Sequence, residues 1–323
     1  MKAIVNTVYG SPDVLQFKEV EKPVPRGNQV LVKVVAASVN ALDWHLLRAD
    51  PFLARLSFGL FRPKHHILGA DIAGRVEAVG SNVKQFKPGD EVFGDLFPCG
   101  LGGFAEYACA AEKVLVLKPA ALSFEQAAAV PIAGMTALQA LRDHGHIQPG
   151  QKVLINGAAG GVGTFAVQIA KAFGAEVTAV CGTGNLEQAR SIGADYLIDY
   201  TREDFTQNGQ AYDLILATNG YHPISDYKRA LSPRGIYVMS GGSMKQFKEA
   251  MLKGPWISMM GNKKMGNMMA KGNQKDLATV KELIEAGKVK PVIDRRYPLS
   301  EVAQAIRYLE EGHAKGKVII NVS

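Results

Sequence analysis

Two periodicities divide the chain. Over the first third, short runs rich in β-branched residues are cut by glycine and proline. The stretches "QVLVKVVAASVN", "GADIAGRVEAVG", "FKPGDEVFG", "GGFAEYACA" and "KVLVLKP" read as strands joined by turns, with Pro88-Gly89 at one turn. Many short strands punctuated in this way predict a small barrel-like β domain. The pattern changes near Ser123. Ser123 and Gln126 occupy capping-box positions in "SFEQAAAV", so a helix is expected to begin there. From Lys152 strands and helices alternate. The spacing predicts a strand over 153–156 and a helix over 162–173 with Val162, Ala166, Ile169 and Phe173 on one face. A strand over 176–181 and a helix from about 186 follow. "ADYLIDY", "YDLILAT" and "RGIYVMS" read as further strands, and the alternation predicts a doubly wound parallel sheet. The tail returns to β character over 291–298, forms a helix over 301–311 and closes with "GKVIINVS", a strand able to pair back into the first domain. The expected division is 1–124 with 290–323 as one domain and 125–289 as the other.

At 323 residues the chain has room for about two such domains. Its 47% hydrophobic and 21% charged content is that of a soluble globular protein. The net charge of +7 is spread along the chain without a Lys/Arg block, so no nucleic-acid partner is expected. Cys99, Cys109 and Cys181 are odd in number and lack a paired short spacing. That speaks against a disulfide framework or a CxxC zinc ribbon and fits a reducing compartment. The N-terminus lacks the apolar core of a signal peptide and the Arg/Ser-rich look of a transit peptide. No run approaches the roughly 18 apolar residues of a membrane span. A cytoplasmic protein is expected.

The stretch "KVLINGAAGGVGTFAVQIAKAFGAEVTAVCGTGN" carries the clearest chemistry. Its glycines lie between a strand and a helix, in the register Ala158-x-Gly160-x-x-Gly163, as a dinucleotide site needs. Gly160 lets the backbone approach a pyrophosphate, and Gly163 lets the helix pack tightly on the strand. The unpaired N–H groups that open the helix can bind phosphate oxygens. A tight turn without a ligand needs fewer glycines. An NAD site has Asp or Glu about 20 residues on, accepting from the ribose 2′-hydroxyl. Here the next strand ends in Gly182-Thr183-Gly184, and the nearest acid along the chain is Glu187, in the next helix. The repulsion of a 2′-phosphate is thereby removed. Thr183 and Asn185 can donate to that phosphate, with Arg190 in reach. Asn185 also reads as a helix cap, with Gln188 three residues on. NADPH is the expected cofactor, with NADH second.

The stretches "SVNALDWHLLRADPF", "LGADIAGRVEAVGSNVKQFKPGDEVFG", "GGFAEYA", "PIAGMTALQAL", "NGAAGGVGTFAVQIAKAFGA", "SIGADYLIDY" and "GHAKGKVII" span the chain in order. Together they resemble the medium-chain dehydrogenase/reductase superfamily, and within it the zinc-free quinone oxidoreductases and bacterial enone oxidoreductases. The resemblance implies an α/β chain: a GroES-like β-barrel substrate domain plus a Rossmann doubly wound parallel-sheet domain, with NADPH held between them. It implies Asn40 and Thr136 near the nicotinamide, as the candidate catalytic residues. Ala159, Gly160, Gly161, Val162 and Gly163 would meet the pyrophosphate. Thr183, Asn185 and Tyr200 would surround the adenosine and its 2′-phosphate. Ser240, Gly241 and Gly242 would end a strand beside the nicotinamide, and Lys317 in the closing strand would return to the cofactor. Asp43, Trp44 and His45 fall with Asn40 in the segment expected to line the substrate side. One departure matters: chloroplast relatives have Arg where Gly184 stands here, which leaves use of both NADPH and NADH open.

Zinc alcohol dehydrogenases of this superfamily carry Gly-His-Glu where this chain reads Gly69-Ala70-Asp71. They carry a Cys in the stretch Ser38 to Asn40, and a four-Cys lobe that three scattered cysteines cannot supply. His65 and His66 are adjacent in sequence, poor geometry for holding one ion, and read as polar loop residues. Cys99 and Cys109 read as packing residues. No zinc is expected. Reducing a simple ketone places charge on one oxygen, which zinc stabilises as a Lewis acid. Hydride addition to the β-carbon of an enone gives an enolate whose charge is spread, and a reduced quinone is similar. The expected activity is therefore reduction of the activated C=C of an α,β-unsaturated carbonyl, or of a quinone, by hydride from NADPH. The rival is a nucleotide-binding regulatory or interaction protein with little turnover. Asn40, Thr136 and the Gly241-Gly242 turn speak for turnover. The family suggests a homodimer or a monomer.

One segment stands apart. Residues 243–275, "SMKQFKEAMLKGPWISMMGNKKMGNMMAKGNQK", mix Met, Trp and Phe with Lys. They read as helix packing with a dimer-facing loop, as an adaptable apolar wall over a substrate, or as a peripheral contact with an anionic membrane. Gly254 and Pro255 are expected to spoil a long amphipathic helix, which counts against the membrane.

Overall fold

The structure, a computed structural model, describes residues 1–52 and 55–322. Ser323, at the end of the expected closing strand, lies outside the described residues. The strands in chain order are β1 (Lys2–Val5), β2 (Gln16–Glu19), β3 (Gln29–Val39), β4 (Asp71–Val79), β5 (Glu91–Asp95), β6 (Tyr107–Ala111) and β7 (Leu115–Leu117). Then come β8 (Lys152–Asn156), β9 (Glu176–Cys181), β10 (Tyr196–Asp199), β11 (Tyr212–Ala217), β12 (Leu231–Met239) and β13 (Lys264–Asn267). The tail adds β14 (Ile293–Pro298) and β15 (Lys317–Asn321).

The chain forms two compact units. One comprises Met1–Ile132, Gly272–Lys281 and the chain from Pro291 onward; the other comprises Ala133–Lys271 and Glu282–Lys290. The boundary near residue 132, rather than 124, has a physical reason. Ser123 caps helix Phe124–Ala128, its hydroxyl accepting from the Gln126 N–H at 3.1 Å while its own N–H donates to Gln126 Oε1 at 3.0 Å. That helix packs on β3, β4 and β15, and so stays with the first unit.

In the first unit the sheet order is β14-β15-β3-β4-β5-β7, with β6 also on β3. The long β3 is the hub. Its branched side chains Val30, Val32 and Val34 are fully buried in a core that also takes Ile72, Leu115, Val318 and Ile320. Helix Val302–Glu310 covers this core with Val302, Ala305 and Ile306. The tail therefore does return to the first unit, with β15 antiparallel to β3.

In the second unit six parallel strands run in the order β10-β9-β8-β11-β12-β13. The chain steps outward from β8 to β10, then crosses back to β11. The order thus reverses between β8 and β11. Open α/β sheets bind ligands beyond the carboxyl ends of the strands at such a reversal. Helix Gly161–Ala172 packs there on β8 and β9, burying Phe165, Ala166 and Ile169.

The segment 243–275 differs from expectation. A helix runs through Gly254-Pro255 from Met244 to Met259. Ser243 caps it, accepting from the Gln246 N–H at 3.2 Å. Gly254 allows close packing on β13, where an added Cβ would lie 2.7 Å from the Met265 carbonyl oxygen. Ser258 Oγ donates to the Gly254 carbonyl at 2.9 Å and accepts from the Met265 N–H at 2.9 Å, tying the proline turn to the strand. Among the described residues no helix is long and apolar enough to cross a membrane.

Candidate active site

In the first unit, strand register gathers the charged residues. β3 pairs with β4 so that Ser38 faces Asp71, and β4 pairs with β5 so that Asp71 faces Asp95. β15 pairs Val318 with Val39, which brings the preceding Lys317 level with Asn40. Asp71 is fully buried and its carboxylate is saturated. Oδ2 accepts from Ser38 Oγ at 2.9 Å, from Asn40 Nδ2 at 2.9 Å and from Lys317 Nζ at 3.2 Å. Oδ1 accepts from the Ile132 N–H at 2.9 Å. Lys317 also donates to Asn40 Oδ1. Asn40 and Lys317, placed at the cofactor by resemblance, thus form one buried network with Asp71.

Asp43, expected to line the substrate side, does not. It is fully buried, and its carboxylate accepts from the Asn40 N–H at 2.7 Å and the Gly69 N–H at 3.1 Å. Those two bonds fix the start of helix Ala41–Arg48 against the turn before β4. Burial pushes its carboxyl up to about 7, against the pull of the two N–H groups. Asp95 is also pushed up to about 7, by burial first and then by the charge of Asp71. Trp44 stacks on His45 with ring centroids 3.5 Å apart, and His45 Nδ1 lies 2.8 Å from the Asp50 carbonyl oxygen. His66 Nδ1 meets the Asn6 carbonyl oxygen at 3.1 Å.

The second unit carries the phosphate turn. Gly160 is the N-cap of its helix, in extended backbone, with no side-chain hydrogen bond capping the first turn. A Cβ there would meet nothing nearer than the Gly157 carbonyl oxygen at 3.6 Å, an ordinary contact, so this backbone is uncrowded. At Gly163 a Cβ would lie 2.1 Å from the Gly157 carbonyl oxygen, so this glycine serves helix-on-strand packing. The two roles expected from the sequence are separate in space. The N–H groups of Gly157 and Ala158 donate to the Val180 carbonyl, both at 3.1 Å, and Gln188 Nε2 donates to the Ala159 carbonyl at 3.3 Å. Thr218 Oγ1 donates to the Asn156 and Gly157 carbonyls at 3.0 and 3.1 Å. Gly241, after β12, closes on Thr218, where a Cβ would lie 2.5 Å from its carbonyl oxygen. The ends of β8, β9, β11 and β12 are thus locked around one turn. Thr136 lies in helix Pro131–Gln139 and is buried.

These residues fit a dinucleotide. The helix N-terminus is open at Gly160, and two polar atoms in the expected positions are buried without a partner: Asn185 Oδ1 and Ser240 Oγ. A buried polar atom left unpaired is costly, and a bound polar ligand removes that cost. Asn185 stands at the N-cap position of helix Leu186–Ser191, as its reading as a cap expects, but its side chain makes no capping hydrogen bond.

The adenosine end also departs from expectation. The acid nearest Thr183 is Asp199, at the end of β10, and not Glu187. β9 and β10 pair with Cys181 opposite Asp199, and Thr183 Oγ1 donates to Asp199 Oδ2 at 2.5 Å. Thr183 is therefore already a donor to a carboxylate. Asp199, Thr201 and Arg202 were not among the sequence candidates. Their signal is the acid next to last in "ADYLIDY", at the end of a strand parallel to β9.

Residues 26–120 match the family described as Alcohol dehydrogenase GroES-like domain, and residues 192–320 match Zinc-binding dehydrogenase. A chloroplast envelope quinone oxidoreductase homolog of Arabidopsis thaliana is 36% identical, over 98% of this chain and 96% of its own. An NADPH-dependent alkenal/one oxidoreductase of the same plant is 36% identical, over 99% of this chain and 79% of its own. The solved quinone oxidoreductase of Coxiella burnetii is 32% identical with a TM-score of 0.88, covering 100% of this chain and 99% of that one. The chain belongs to the medium-chain dehydrogenase/reductase superfamily, among its quinone oxidoreductases. It is an oxidoreductase of the kind that uses a nicotinamide cofactor.

The residues at the position of a catalytic metal in this superfamily do not fit zinc. Ala70 has no ligand atom, the Ser38 hydroxyl is committed to Asp71, and Asp71 already has four donors, one of them an ammonium. Among the described residues no three His, Cys, Asp or Glu side chains gather as a metal site.

Proposed function

We propose that this protein is an NADPH-dependent, zinc-independent reductase of the activated C=C of α,β-unsaturated carbonyls, or of quinones. The observation that carries this reading is the saturated Asp71 carboxylate. Where a metal-dependent relative needs ligands, this chain has a closed ion-pair network instead. Charge that develops on the substrate must then be spread by the substrate itself, as in an enolate or a reduced quinone.

Reduced nicotinamide, when bound, supplies the hydride. The protein's share is to bind and orient. The open backbone at Gly160 and the first N–H groups of its helix suit the pyrophosphate. Ser240 and Asn185 bring the unpaired polar atoms noted above. NADPH is favoured because β9 has no carboxylate of its own at its end, while the exposed Arg202 guanidinium stands beside the turn, 3.6 Å from the Asp199 carboxylate that Thr183 meets. The names of the relatives, a quinone oxidoreductase and an alkenal/one oxidoreductase, support the substrate class.

The test is NADPH oxidation against a medium-chain vinyl ketone, a cyclic enone, a naphthoquinone and a simple ketone, with a chelator present throughout. Turnover of an enone or the quinone, and none of the simple ketone, is expected. Turnover of the ketone alone, or loss of activity with the chelator, would contradict the reading.

A further inference from the structure

The Gly182–Asn185 turn lacks an acid in sequence, yet one reaches it from the neighbouring strand. Asp199 is the last residue of β10 and lies in register with Cys181, the last residue of β9. Its side chain is only 10% exposed. Oδ1 accepts from the Thr201 N–H at 3.0 Å and from Thr201 Oγ1 at 2.7 Å, while Oδ2 accepts from Thr183 Oγ1 at 2.5 Å. The Arg202 guanidinium stands 3.6 Å from Oδ2, with its side chain 77% exposed. Arg190, on the next helix, is exposed and lies 3.7 Å from Glu187.

The polarity of Thr183 follows from this arrangement. A threonine hydroxyl has one proton and two lone pairs. Thr183 gives that proton to a carboxylate, so its oxygen can only accept from anything beyond. An acceptor suits the ribose 2′-hydroxyl of NADH, which is a donor. It opposes a 2′-phosphate, whose oxygens are all acceptors. The hydroxyls of Thr183 and Thr201 hold the Asp199 carboxyl below the usual carboxylate range, so it stays ionised at neutral pH and keeps Thr183 in this orientation.

We infer that Asp199 is a cofactor-selecting residue that acts through Thr183: from β10 it supplies the acceptor that β9 lacks, so that the turn holds the adenosine 2′-hydroxyl of NADH and limits the preference for NADPH. It is a positioning residue, and the inference rests on the nicotinamide-dinucleotide reading above. In Asp199→Asn the side-chain oxygen still accepts from Thr201, while the amide donates to Thr183. The Thr183 proton is then released toward the ligand, where it serves a phosphate.

The test is calorimetric titration of the full chain with NADPH, NADH and NADH lacking the adenosine 2′-hydroxyl. Asp199→Asn is expected to raise the ratio of the NADH to the NADPH dissociation constant by about tenfold, the scale of one hydrogen bond to a charged group. Wild-type protein is expected to bind the deoxy analogue about fivefold or more weakly than NADH, the loss for one hydrogen bond. The wild-type comparison stands even if the variant does not fold. Equal weakening of both cofactors in Asp199→Asn would mark a merely structural acid and overturn the inference. So would an unchanged ratio, a shift toward NADH, or equal binding of NADH and its deoxy analogue. If wild type binds none of the three, the nicotinamide reading itself fails, and the inference with it.

Discussion

Lys317 and Asp71 lie 246 residues apart in the chain, yet Nζ stands 3.2 Å from Oδ2 and neither side chain is more than 3% exposed. The pair joins β4 and β15, which lie on either side of the hub strand β3 in the sheet. Removing one partner leaves a buried charge uncompensated. Lys317→Met is expected to cost about 3–5 kcal/mol in urea unfolding, and adding Asp71→Asn to recover part of that loss. A single-variant cost below about 1 kcal/mol, typical of an exposed pair, would contradict the closed network.

The two glycines of the phosphate turn are expected to fail differently. Gly163→Ala places a Cβ 2.1 Å from a carbonyl oxygen and is expected to destabilise by about 1–3 kcal/mol in urea unfolding. Gly160→Ala meets nothing within 3.5 Å and is expected to cost about 1 kcal/mol or less of stability, while cofactor binding weakens about tenfold or more. Equal loss of stability in both variants would contradict the separation of roles.

Ser240 Oγ is buried without a partner, so its removal relieves the free protein. Ser240→Ala is expected to leave stability unchanged or slightly raised and to weaken NADPH binding about fivefold, read by calorimetry. Unchanged binding would mean that this hydroxyl does not meet the cofactor.

Asp43 and Asp95 give stability a pH dependence. Both carboxyls are pushed from the ordinary 3.8 up to about 7 by burial. The folded protein therefore binds more protons than the unfolded chain between about pH 4 and 7, and its stability falls as pH rises through that window. Carboxyls held low, such as Asp195, Asp204 and Glu249, act in the opposite sense and only below about pH 4.5. Urea midpoints at pH 5.5 and 8 are expected to fall with pH in wild type and to fall less in Asp95→Asn. A slope that is the same in both would contradict a buried, raised Asp95.

Much of this architecture was legible in the sequence. The Gly160 and Gly163 spacing, the Ser123 cap and the alternation after Lys152 are local signals, and local signals survive without tertiary information. What was not legible depends on register between strands far apart in sequence. Asp199 reaches Thr183 only because β10 runs parallel beside β9. Asp43 looked like a substrate-facing residue of a helix, but its position in the first turn directs it to two backbone N–H groups. The helix through Pro255 was hidden because propensity argues against it, while Ser258 and packing on β13 stabilise it.

The measurement that bears most directly on the proposed chemistry is the fate of the transferred hydrogen. Reduction of a vinyl ketone with NADPH deuterated at the transferable position, with a chelator present, followed by NMR of the product, locates it. Deuterium at the β-carbon of a saturated ketone is the expected result. Deuterium on a carbinol carbon, from reduction of C=O, would contradict the account.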